Sequence, residues 1–96
     1  MRRDEVLRIL AQFRDQRAQK FGITRIGIFG SLARGEATDA SDVDVVVELE
    51  RPDLLLLVGI KQELEELLHR PVDVVHYREQ MNPFLKKRIL RDAIYV

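Results

Sequence analysis

Two carboxylates, Asp42 and Asp44, lie two residues apart at the start of a segment in which apolar side chains alternate with others up to Leu49. This alternation predicts a β-strand whose two faces have different characters. One face would carry Val43, Val45, Val47 and Leu49, and the other Asp42, Asp44, Val46 and Glu48. Because neighbouring like charges repel unless a cation or a proton lies between them, the pair indicates a metal site. Carboxylate oxygens suit Mg²⁺, which proteins usually hold with a few carboxylates plus substrate phosphates.

A third carboxylate, Asp73, is predicted at the same edge of the sheet. It stands near the start of another short apolar segment, from Val72 to Tyr77, which a helical segment joins to the first strand. Two strands joined in this way run parallel, so their starts lie together. Three carboxylates at one edge can hold two metal ions, which stabilise both the attacking and the leaving oxygen of a phosphoryl displacement. We therefore predict Asp42, Asp44 and Asp73 as metal ligands and catalytic residues.

Gly30 and Ser31, upstream of these carboxylates, have the chemistry of a phosphate site. A glycine lets a phosphate approach the backbone closely, and the start of a helix offers unpaired N–H groups. The Ser31 hydroxyl can donate to the same phosphate or cap the short helix. Arg34 is a further candidate for phosphate binding, with a solvated loop charge as the equal alternative.

The elements that must position these residues are read from apolar spacing and from end signals. The pattern predicts α-β-(short α)-β-α-β-α in one domain, residues 1–96, of the α/β (α+β) class. The first two strands should be antiparallel and the last two parallel, which gives a small mixed three-stranded sheet. The predicted helices span 4–20, 53–69 and 83–94, and the predicted strands span 23–29, 42–49 and 72–77.

Composition limits the classes of partner. Sixteen basic and sixteen acidic side chains give zero net charge, so the basic surface expected for direct nucleic-acid binding is missing. There is no cysteine, which excludes disulfides and thiolate metal sites. The charged start and the short apolar runs argue against a signal peptide and a membrane span. We expect a cytoplasmic protein.

The spacing Gly-Ser, ten residues, Asp-x-Asp is similar to the signature of the nucleotidyltransferase superfamily that includes DNA polymerase β. The longer run GSLARGEATDASDVDVVVE resembles the minimal nucleotidyltransferase (MNT) domains of prokaryotes, which are commonly antitoxins paired with a HEPN-domain toxin. The resemblance implies the nucleotidyltransferase fold and transfer of AMP from ATP to a tyrosine of the toxin. It implies that Gly30 and Ser31 bind the triphosphate and that Asp42 and Asp44 bind two Mg²⁺ ions, for which Mn²⁺ can substitute. Asp73 would complete the site as a ligand or base.

Two other functions stay open at this point. The chain would act as a nucleotide-binding antitoxin that only occludes its partner, or it would modify a small molecule of the aminoglycoside kind. Ninety-six residues leave little material for a deep acceptor pocket unless a homo-oligomer builds one.

Several residues also have ordinary structural interpretations. We expect His69 at a helix end, His76 packed in a strand, and the run Lys86-Lys87-Arg88 on a solvated helix face. The apolar run Leu54–Val58 fits either a helix buried on two sides or a surface for a partner.

Overall fold

Helices and strands alternate along the chain in the computed structural model, which describes residues 2–96. The elements are α1 (Arg3–Phe21), β1 (Ile23–Phe29), α2 (Gly30–Ala33), β2 (Val43–Leu49), α3 (Leu54–Leu68), β3 (Val72–His76), α4 (Pro83–Asp92) and β4 (Ile94–Tyr95). Up to α4 they follow the predicted order, and most boundaries agree within a residue or two. The predicted α/β class is confirmed.

The helix ends are set by local side-chain and backbone chemistry. Gly22 ends α1 in the left-handed conformation, with φ of 68°, which glycine adopts without steric cost. Asp53 begins α3 by accepting a hydrogen bond from Leu55 N at 2.7 Å. Asn82 begins α4 in the same way, and Pro83 follows it at the first helical position.

The strands form one mixed sheet in the order β3-β2-β1-β4. Strand β1 is antiparallel to β2, and β3 is parallel to β2 across the α3 crossover, as predicted. A short link between β1 and β2 therefore places the end of one strand beside the start of the next.

The end of the chain differs from the prediction. The last helix stops at Asp92, and Ile94–Tyr95 form a fourth strand that pairs antiparallel with Gly27 and Ile28 of β1. The absence of a side chain at Gly27 matters here, because a Cβ would overlap the Ile94 backbone. The sheet thus has four strands rather than the predicted three.

The main core lies between the sheet and helices α1 and α3. The apolar face of β2 is buried there as predicted, while α4 covers part of the opposite face through Ile89, which packs with Phe29 and Val46. Full burial of one such aliphatic side chain contributes about 1.5–3 kcal/mol. The largest fully buried side chains of the main core are Phe13, Leu10, Ile26, Ile28, Ile60, Leu64, Leu68, Val6 and Val45.

One buried carboxylate joins α2 to α4. Asp92 accepts from Arg34 Nη1 at 2.6 Å and from Arg91 Nε at 2.8 Å. Hydrogen bonding to Arg91 is the largest cause that lowers the pKa of Asp92, and with the bond to Arg34 it brings that pKa to about 2. The ion pairs thus hold the C-terminal end of α4 against the turn that follows β1.

The start of α3 is more exposed than a two-sided buried helix would be. Leu54 and Leu55 are 74% and 78% exposed, whereas Leu56 and Leu57 pack against the main core. None of the helices between residues 2 and 96 combines the length and the apolarity that crossing a membrane requires.

We expect Leu55→Ser to change the free energy of unfolding by no more than about 0.5 kcal/mol, because the exposed Leu55 side chain buries little surface that the substitution could remove. Leu64→Ala in the same helix should cost about 2–5 kcal/mol, because it opens a cavity in the core. Urea unfolding of the two variants makes the comparison. A large loss for Leu55→Ser would mean that Leu55 packs in the folded protein.

We expect Asp92→Asn to lower the melting temperature at pH 7, because both arginines lose a charged acceptor. A carboxylate with a lowered folded-state pKa stabilises the protein above its unfolded-state pKa of 3.8, and the gain disappears as pH falls toward about 2. The melting temperatures of the variant and the parent should therefore converge between those pH values. A difference that is constant from pH 7 to pH 2 would contradict the assignment.

Candidate active site

Asp42, Asp44 and Asp73 lie at one end of the sheet, which we call the carboxylate edge, and Asp44 stands at its centre. In the strand register it lies opposite Phe29 of β1 on one side and opposite Asp73 of β3 on the other. Residues paired in register point to the same face of a sheet. Asp44 and Asp73 therefore share the face covered by α4, and the last residue of β1 leads directly into Gly30 beside them.

Asp42 immediately precedes β2, one residue before the strand begins. Its neighbour Val43 donates from its backbone to Pro71 O at 3.0 Å, which ties the start of β2 to the start of β3. The Arg70 guanidinium donates to the carbonyl oxygens of Thr38 and Ser41 at 3.0 and 3.1 Å. Arg70 thereby holds the loop that delivers Asp42 to the sheet edge.

Gly30 has a backbone conformation and surroundings that no other residue type fits. Its φ is 74°, and a Cβ at this position would overlap Asp44 Oδ2. Glycine is therefore required both for the left-handed turn and for the close approach of the carboxylate.

Ser31 lies inside the single turn of α2, and Phe29 occupies the cap position without a side-chain bond. The alternative interpretation of Ser31 as a helix cap is therefore wrong. The half-buried Ser31 remains beside Gly30 at this end of the sheet.

The surroundings of Asp44 disfavour the ionised form of its carboxyl group. Burial is the largest cause that raises the pKa of the Asp44 carboxyl, and the charges of Asp73 and Asp42 raise it further. Arg88 is the strongest opposing influence, and Arg34 lowers the pKa to a smaller extent. The carboxylate edge thus favours an added positive charge, which is what a metal site requires.

Arg88 lies beside Asp44, and the sequence pattern failed to identify it as a neighbour of the site. Its Nη2 lies 3.8 Å from Asp44 Oδ2, and its guanidinium stands 5.6 Å from the centre of the Phe29 ring. Arg88 is exposed, as expected for the run Lys86-Lys87-Arg88, but it also lies beside Asp44, which that expectation did not include. Local spacing on α4 places Arg88 on a helix surface, but it carries no information on which strand that surface meets.

Arg34 binds two carboxylates that are not part of the carboxylate edge. It donates to Glu36 at 3.0 Å and to the buried Asp92 at 2.6 Å, so its guanidinium links α2 to α4. His76 accepts from Leu49 N at 3.2 Å, in agreement with its expected packed role. His69, also as expected, lies at the exposed end of α3.

The donor set fits hard divalent cations. Carboxylate oxygens at one edge and a backbone turn without a side chain are the groups that Mg²⁺ and a phosphate prefer. Between residues 2 and 96, however, no three Asp, Glu, His or Cys side chains come together as a ready-made metal cluster. Phosphate oxygens of a nucleotide would have to complete the coordination, as is usual for Mg²⁺.

The carboxylate edge is an open surface rather than a deep pocket. A cavity of about 460 Å³ opens at the other end of β3, between the starts of α3 and α4, and its lining includes none of the candidate residues. A much smaller cavity of about 10 Å³ touches Asp42 and Arg70. An acceptor that reacts here must bring its own reactive group to the edge.

We expect Gly30→Ala to destabilise the fold by clearly more than Gly35→Ala, a matched change. Both glycines have φ near 75°, so each alanine suffers left-handed strain of about 1–2 kcal/mol. Only at Gly30 does the new Cβ also collide with Asp44, whereas at Gly35 the nearest atom is Arg3 Nη1 at 3.9 Å. Urea unfolding checks the difference, and equal losses would show that Asp44 moves aside freely.

Comparison with known proteins identifies the protein family to which this chain belongs. The family model described as nucleotidyltransferase domain matches residues 10–96. Protein adenylyltransferase MntA of Thermococcus cleftensis is 37% identical over 94 residues, which cover 97% of this chain and 94% of that protein.

Solved structures agree on the fold. A structure provisionally named a minimal nucleotidyltransferase superposes with a TM-score of 0.77 and 37% identity, covering 98% of this chain and 95% of the other. A tri-AMPylated HEPN toxin of Shewanella oneidensis in complex with its MNT antitoxin matches with a TM-score of 0.58 and 20% identity, covering 88% of this chain and 69% of the matched one. That second likeness concerns the fold only. With the family model and a close relative in agreement along almost the whole chain, the protein belongs to the nucleotidyltransferase-domain family, among its minimal members.

Proposed function

We propose that this chain is an antitoxin-type adenylyltransferase. It transfers AMP from ATP to a protein hydroxyl, which we identify as a tyrosine of a HEPN-domain toxin. The reaction uses ATP and two Mg²⁺ ions, which fits the cytoplasmic location expected from the sequence. The relative from Thermococcus cleftensis bears the name of this activity, and the matched Shewanella complex holds an AMPylated HEPN toxin.

The register of β1, β2 and β3 is the observation that carries the proposal. It brings Asp44 beside Asp73 and next to Gly30, with Asp42 immediately upstream. Phosphoryl transfer needs little covalent chemistry from the protein, so positioning and charge stabilisation account for most of the catalysis. A carboxylate edge beside a side-chain-free turn supplies both.

The chemistry is a single displacement at the α-phosphorus. The acceptor oxygen forms a new P–O bond, the bond from the α-phosphorus to the bridging oxygen breaks, and pyrophosphate leaves. Metal ions held by Asp42, Asp44 and Asp73 would lower the pKa of the acceptor hydroxyl and stabilise the charge of the leaving group. Asp73 is our candidate to accept the hydroxyl proton. Gly30 and Ser31 hold the triphosphate in line with the attack.

A protein acceptor fits the open edge better than a small molecule does. A small acceptor of the aminoglycoside kind needs a pocket that buries most of its surface. The cavity that Asp42 lines has a volume of only about 10 Å³, so a partner that presents its own hydroxyl is the simpler solution.

We expect Asp44→Asn to reduce transfer of radiolabelled AMP to the toxin by roughly a hundredfold or more, because the transition state loses a charged partner. Asp42→Asn should behave alike, and the double variant should lose little more, because the two act through shared ions. Melting temperatures should stay equal or rise, since the repulsion around Asp44 is relieved. EDTA should abolish transfer by the parent protein.

The matched control is Asp15→Asn on the exposed surface of α1, which should leave transfer unchanged. Near-normal transfer by Asp44→Asn would remove the catalytic assignment. If transfer is lost while the toxin is still fully neutralised, the chain acts by occlusion instead.

A further inference from the structure

We propose that Arg88 is a phosphate-binding residue of this site, which lies beside Asp44 in the metal-free protein and turns to the nucleotide when metal and ATP bind. This inference rests on the proposed function and adds a residue from α4 to it. It assigns Arg88 two successive anionic partners at one place, first a carboxylate and then a phosphate.

The position of the guanidinium carries the first step. Arg88 reaches over the end of β1, and its Nη2 would lie 3.5 Å from a Cβ at Gly30. Gly30 is the point at which a phosphate can approach the backbone. An arginine this close to such a turn can reach a phosphate bound there, and its planar fork matches phosphate geometry.

The weakness of its present contact carries the second step. The distance of 3.8 Å from Arg88 Nη2 to Asp44 Oδ2 satisfies an ion pair but exceeds a hydrogen bond. About half of the Arg88 side chain (48%) remains exposed, whereas the Asp44 side chain is 19% exposed. Arg88 therefore compensates the carboxylate electrostatically without being locked to it, and it is free to take a second partner.

Competition for Asp44 makes the proposal specific. A cation bound by Asp44 takes over the compensation that Arg88 supplies, and two positive charges beside one carboxylate repel. The phosphates that arrive with the metal restore the balance by pairing with Arg88. Arg88 should thus oppose binding of a metal ion alone and favour binding of metal with nucleotide.

Its neighbours on α4 differ from Arg88. Lys86 is paired with Glu79 at 3.0 Å, and Arg91 is paired with Asp92 at 2.8 Å. Lys87 is exposed, and among the charges that act on Asp44 only Arg88 comes from α4. Lys87 therefore supplies a control of equal charge on the same helix.

The test compares Arg88→Met, which keeps an unbranched apolar side chain but removes the charge, with Lys87→Met. Calorimetry measures the dissociation constant of Mn²⁺ alone and of α,β-methylene ATP with Mg²⁺, an analogue that cannot undergo transfer. For Arg88→Met the analogue should bind about tenfold more weakly or worse, which is the loss of one charge-assisted hydrogen bond. Mn²⁺ alone should bind equally well or more tightly. Arg88→Lys should recover part of the analogue affinity, and Lys87→Met should change neither constant.

Unchanged analogue binding in Arg88→Met would overturn the inference and make Arg88 a surface charge. Equal weakening of Mn²⁺ and analogue binding, with a lowered melting temperature, would also overturn it, because that pattern means a structural role. Both results leave the proposed function intact as long as the parent protein binds the analogue and transfers AMP. If the parent itself neither binds the analogue nor modifies the toxin, the proposed function is the part that fails.

Discussion

The crowding of negative charge around Asp44 is the constraint on which the rest of the site depends. The parallel pairing of β2 with β3 and the antiparallel pairing of β1 with β2 force Asp44 to lie between Asp73 and the turn at Gly30. Burial and two neighbouring carboxylates raise the pKa of Asp44, so the ionised Asp44 lowers the stability of the folded protein. Such local conflict is expected where a fold is arranged for chemistry rather than for its own stability.

The remaining architecture offsets that conflict without removing it. The opposite face of the sheet is a continuous apolar core, which supplies the stability that the carboxylate edge lacks. Helix α4 contributes Arg88 as a partial counter-charge and is itself held by the ion pairs of Asp92. Because Arg34 and Arg91 are hydrogen-bonded to Asp92 while Arg88 only approaches Asp44 at 3.8 Å, the end of α4 is fixed but the Arg88 side chain is not.

Most of the fold could be predicted because its signals are local. The alternation from Val43 to Leu49, the glycine at the end of α1 and the Asn-Pro pair before α4 each act within a few residues. The position of Asp73 beside Asp44 could be predicted from the right-handed crossover, which is a rule of topology. Strand β4 was missed because Ile94–Tyr95 is too short to show alternation and continues the apolar spacing of the helix before it.

Arg88 and Arg70 were missed for a different reason. Their roles arise from contacts with Asp44 and with the loop at residues 38–41, and no local pattern encodes which distant element a surface arginine will meet.

The carboxylate edge is open because few helices and strands lie near it. One layer of helices covers the core face, only the short α4 and α2 lie near the other, and no other element among residues 2–96 covers the site. Excluding water from a charged reaction centre strengthens every electrostatic interaction within it. Because the described elements leave the edge open, an acceptor that docks on it would exclude the water. A protein acceptor would then be both substrate and part of the active-site wall, so productive chemistry would depend on the fit of two surfaces. On that view, the specificity for the acceptor lies less in the carboxylates than in the surface around them.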